Sequence, residues 1–193
     1  MTHSLHRTGA KSQLKNDYVI LTMLAAGYND KALDSRERLI SIAKIMKNHN
    51  PVNIMTKRAW TVSTVISAAY DDKEVVKDVV NEIKEADLGI SIVVEGIIDE
   101  VREIANEIGL NLNSAHLSLG TFGKKELLPS EKVLEITSMC GHHCISPQSV
   151  LHYVDLIKND KISVEKAAEK IAEPCICGIF NTERAKETLK KLK

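Results

Sequence analysis

All four cysteines of this 193-residue chain fall between positions 140 and 177, as two tight pairs, Cys140-Gly-His-His-Cys144 and Cys175-Ile-Cys177. If both pairs serve one site, the chain between Cys144 and Cys175 must leave it and return. Two short helices packed as a hairpin do that. A Cys-x-Cys spacing closes a relaxed disulfide poorly, but it suits two thiolates turned toward one ion or cluster. Gly141 and Gly178 each follow a cysteine and let the backbone approach closely. The pattern reads as a cysteine-ligated metal site, with Cys140, Cys144, Cys175 and Cys177 as ligands.

At 44% hydrophobic residues the chain can bury an ordinary core, so the cysteines need not rescue a coreless fold. Lys+Arg and Asp+Glu are both 26, and this balance argues against nucleic-acid binding by bulk electrostatics. The amino-terminal stretch runs basic (His3, His6, Arg7, Lys11, Lys15), with no acid before Asp17. An arm over residues 1–16 is expected, either solvated, as loose termini are, or binding a small anionic ligand through His6 and Arg7. The apolar run 18–26 is short and interrupted by Thr22, which fits a buried strand better than a signal peptide. No other stretch approaches the ~20 apolar residues of a membrane span. A cytoplasmic protein is expected, where thiols stay reduced and clustered cysteines suggest metal before disulfides.

Periodicity gives the fold class. Residues 18–26 read as a strand, and Leu39, Ile42, Ala43 and Met46 recur at helical intervals after the capping-box spacing Asp34-Ser-Arg-Glu37. Residues 52–55 and 60–67 read as strands, the second from the alternation Trp60, Val62, Thr64, Ile66. Val75, Val76, Val79, Val80 and Ile83 stripe a helix opened by Asp71 or Asp72. A strand over 90–94, a helix from Gly96 to Ile108 and a strand over 115–119 follow. This predicts an α+β domain over 17–123: a mixed sheet with packed helices, in the ferredoxin-like order βαββαβ plus αβ, with parallel crossovers. From Pro129 only helical patterns remain, predicting an all-helical, cysteine-bearing unit over 129–193 with Ser146 and Asn181 as caps.

Zinc sites favour Cys-x₂₋₄-Cys, which Cys140/Cys144 satisfies and Cys175/Cys177 does not. Clusters accept varied spacing because each thiolate binds its own iron, so an iron–sulfur cluster of the 4Fe-4S type is favoured over zinc. Buried cysteines acting as small apolar residues are the bland alternative. His142 or His143 can replace one sulfur, though both also fit as plain loop residues. His152 is expected to be a partly buried core histidine. Gly120-Thr-Phe-Gly-Lys124 lacks the spacing of a phosphate loop.

Met139-Cys-Gly-His-His143, Pro174-Cys-Ile-Cys-Gly-Ile-Phe-Asn181 with Arg184-Ala185, and the opening Leu5-His-Arg-Thr-Gly9 resemble a family of uncharacterised prokaryotic proteins. The resemblance covers the two ends better than the middle and carries over no catalytic residue. Its association with anaerobes favours the iron–sulfur reading.

Three functions stay open: an iron–sulfur protein in redox or metal handling, working with a redox partner protein or small anionic ligand; a binding or regulatory module with structural zinc; and a thiol–disulfide protein. The third lacks the Cys-x₂-Cys it normally uses.

Overall fold

A computed structural model describes residues 7–193; His3 and His6 lie outside the described residues. A short helix α1 (Lys11–Leu14) leads into β1 (Tyr18–Met23), α2 (Ser35–Asn48), β2 (Asn53–Ile54), a one-turn helix α3 (Lys57–Trp60), β3 (Val65–Tyr70), α4 (Lys73–Ala86), β4 (Ser91–Glu95) and α5 (Ile98–Glu107). The remaining helices are α6 (Glu131–Thr137), α7 (Pro147–Lys158), α8 (Val164–Ala172) and α9 (Thr182–Leu192). The molecule is α+β with a helical C-terminal part.

The four strands lie in the order β2-β3-β1-β4, and every neighbouring pair is antiparallel. The expected mixed sheet is corrected here. β1 and β2 do run parallel across α2, but β3 inserts between them; β3 and β4 run parallel across α4, with β1 between. Both crossovers are split, so no parallel strands touch. The expected strand over 60–67 is displaced as well. Lys57–Trp60 is helical, Val62 is exposed, and the strand begins at Val65. Residues 115–119 form no strand.

Central β1 is apolar on both faces because both are covered. Tyr18 and Ile20, with Ile66, Ala68 and Tyr70 of β3, pack on Leu39, Ile42 and Met46 of α2 and on Val76, Val79, Val80 and Ile83 of α4. Val19 and Ala69 face the other way and join Ile136, Val150, Val154, Ala168, Ile171, Phe180, Ala185 and Leu189 of the C-terminal part. The helical part is thus the third layer on the sheet. Asp72 caps α4, its side chain accepting from the backbone N–H groups of Glu74 and Val75. Ser146, Ser163 and Asn181 cap α7, α8 and α9 in the same way.

Candidate metal centre

Two loops carry the cysteines. The first follows α6: the His143 N–H donates to the Cys140 carbonyl at 3.0 Å, and His143 itself sits at φ 55°. That left-handed residue turns the chain back toward α7. The second follows α8. Here the Cys175 N–H donates to Ala172 O at 2.8 Å, and the Gly178 N–H to Cys175 O at 3.0 Å. The α7–α8 hairpin returns the second loop to the first, as the cysteine spacing requires.

The second loop is also sewn to the sheet. Ser67 Oγ donates to Cys177 O at 2.6 Å, the Thr56 N–H to Ile176 O at 3.3 Å, and Asn53 Nδ2 to Phe180 O at 3.0 Å. Gly178 makes this possible. At φ +72° it presses on β2 so closely that a Cβ would stand 2.1 Å from the Ile54 carbonyl carbon and the Met55 nitrogen.

Arg7 and Thr8, at the start of the described residues, close the third side; His3 and His6 of the expected arm lie outside them. The Arg7 guanidinium donates to Asp17, to Ile179 O and, at 3.3 Å, to Met139 O. Those two carbonyls flank the two cysteine pairs, so one side chain holds both loops. The Thr8 N–H donates to Ser138 Oγ at 3.1 Å. Asp17 is fully buried and also accepts from Arg184 at 2.6 Å and Asn181 at 3.1 Å, while Arg184 donates to Thr8 O. Gly9 leaves room for this contact, since a Cβ there would meet the Arg184 guanidinium at 2.4 Å. In this hydrogen-bonded network two buried guanidiniums face one carboxylate. The sequence marks neither Asp17 nor Arg184 as a site residue, although Arg184 falls within the tail residues that carry the resemblance.

Cys140 and Cys175 are buried, Cys177 is partly buried and Cys144 is exposed. Cys175 Sγ lies 3.6 Å from Cys177 Sγ, and Cys177 Sγ lies 3.6 Å from His142 Nδ1. Cys140 is held well below the ordinary thiol range, first by hydrogen bonds from Cys175 and Cys177, with the backbone N–H groups of Cys144 and His142 adding to them. Donation to Cys140 is the first cause that pushes Cys175 and Cys177 up. Cys144 is raised first by burial and then by the Cys140 charge. The four sulfurs therefore act on one another's protons, lowering Cys140 and raising the other three. A cation displaces such protons and allows the remaining sulfurs to ionise.

Among the described residues no group of three or more His, Cys, Asp or Glu side chains is arranged so that it could hold a metal ion. The 3.6 Å sulfur separation is nonetheless close to the ~3.8 Å between thiolates sharing one tetrahedral ion at about 2.3 Å. His142 reaches the cluster, whereas His143 is exposed and its imidazole makes no described hydrogen bond to a cysteine. His152, expected in the core, is exposed on α7 with its ring edge-on to Tyr153. Its position in the helix falls beside the buried stripe of Val150 and Val154, not within it. No helix among the described residues is long and apolar enough to cross a membrane. No protein-family model matches the chain, and no curated protein or solved structure matches it either.

Proposed function

We propose that this chain is a cytoplasmic, cysteine-ligated metal protein, with an iron–sulfur cluster in redox or metal handling as the first reading. The observation that carries it is the gathering of both cysteine pairs, from loops at opposite ends of the α7–α8 hairpin, into one set of neighbouring sulfurs that shift one another's titration. Cys140, Cys175 and Cys177 are the inner ligands. Cys144 at the rim is the fourth, with His142 placed to substitute for it.

Three features support a cluster. The Cys-x-Cys spacing suits thiolates that bind different irons. Backbone N–H groups of His142 and Cys144 are directed at Cys140, and that of Ile179 at Cys177, the kind of donor that stabilises anionic cluster sulfur. The buried Arg7 guanidinium, bonded to the Met139 and Ile179 carbonyls beside the two cysteine pairs, brings positive charge to the protein side of the site, where it offsets a negatively charged thiolate centre.

A second reading, structural zinc tying the third layer to the sheet, is favoured by the 3.6 Å sulfur separation. Visible absorption of anaerobically purified protein separates the two. The first reading expects a brown protein containing iron and acid-labile sulfide; a colourless protein with stoichiometric zinc supports the second. A metal-free protein whose thiols cycle with a dithiol reductant would instead favour thiol–disulfide chemistry.

A further inference from the structure

β4 ends the sheet, with β1 on its inner side and no strand on its outer one among the described residues. Residues 111–122, which follow α5, make no backbone–backbone hydrogen bond among the described residues. Apart from Glu95 at the end of β4, neither element carries the charges or prolines that protect natural sheet edges. From Leu88 to Val94 and from Gly109 to Gly123 there is no Asp, Glu, Lys, Arg or Pro, in a chain that is 27% charged. Isolated edges ordinarily carry such residues to block pairing with another chain.

The second segment has the pattern of a strand. Ala115, Leu117 and Leu119 alternate with polar residues, and Leu117, Leu119 and Phe122 are 69%, 88% and 78% exposed. With Leu112, Leu127 and Leu128 they form a run of exposed large apolar side chains from position 112 to position 128. Together these present on the order of 600 Å² per copy, near the ~800 Å² per partner of a stable interface once a strand edge is added. A cavity of about 560 Å³ lies between β4 and the segment, lined by Ile92, Val94, Leu110 and Leu117 among others. It has room for apolar side chains brought by an incoming strand.

We infer that this edge is a homodimer interface, in which residues 111–122 of each copy pair with the outer edge of the other copy's β4. A reciprocal, two-fold exchange covers the outer edge of β4 in both copies and closes on itself as a dimer. One chain supplies both halves of the contact, which is why a second copy is the partner that fits. The inference is independent of the metal reading.

Sedimentation velocity of the full chain from about 1 to 100 µM tests it, a range that brackets ordinary dimer affinities. The expected result is a species of twice the 21.4 kDa chain mass. The double variant Leu117→Lys/Leu119→Lys should dissociate at least tenfold more readily, with far-ultraviolet dichroism and metal content unchanged, because both side chains are exposed in the single chain. Two results overturn the inference: a wild-type monomer throughout the range, or a dimer that the lysines leave intact. A monomer that binds the apolar dye anilinonaphthalene sulfonate in 1:1 ratio would overturn it too, and would assign the cavity to a small molecule.

Discussion

The carboxylate of Asp17 accepts from Arg7, on the other side of α1, and from Arg184 near the far end of the chain, and all three side chains are buried. Removing its charge leaves two buried cations facing each other. Asp17→Asn should therefore cost about 3–5 kcal/mol, the usual penalty for breaking a buried ion pair from one side. Urea denaturation measures that loss, and a change below about 1 kcal/mol, the scale of an exposed pair, would refute the clamp. Gly178 poses a steric problem instead. Gly178→Ala must both adopt φ +72° and move the β2 backbone, so it should lower the thermal midpoint and loosen metal at the second pair. An equally stable, fully loaded variant would show that the loop does not need its contact with β2. The cysteines, Gly178 and the Asn181 cap were legible in the sequence because their signals are local. Asp17 and Arg184 were not, since nothing local distinguishes a buried ion-pair partner from a solvated charge.

Helices whose caps and apolar stripes agree were legible as whole elements. In α4 the Asp72 cap and the buried face Val76, Val79, Val80 and Ile83 coincide with the pattern that predicts them. Asp72→Ala should cost about 1 kcal/mol by chemical denaturation and leave metal content unchanged, because the cap serves only its own helix. A loss of metal in that variant would mean that the sheet layer and the site are more tightly coupled than their contacts imply. Period-two patterns were less reliable. Trp60, Val62, Thr64 and Ile66 alternate, yet Trp60 is fixed in a helical turn by its Nε1 donating to Met55 O at 2.8 Å, and Val62 points outward. A short alternation says nothing about where a ladder begins. The same ambiguity covers residues 115–119, which have a strand's pattern but no ladder in the single chain. A second copy would supply that ladder.

Across the whole molecule, the antiparallel sheet separates two apolar clusters, and the cysteines lie where the third layer, the sheet edge at β2 and the amino-terminal residues meet. Nothing in the periodicity located that junction, because it depends on contacts of Arg7 with Met139 and Ile179. Metal bound only by the folded form should stabilise all three parts together. The most direct test of a single shared centre is metal content per chain, measured on anaerobically purified wild type, Cys140→Ala and Cys175→Ala. One centre predicts a loaded wild type and a large loss in both variants, since each removes a buried inner ligand from a different loop. A metal-free wild type, or a variant that keeps its full metal after losing either cysteine, would contradict it.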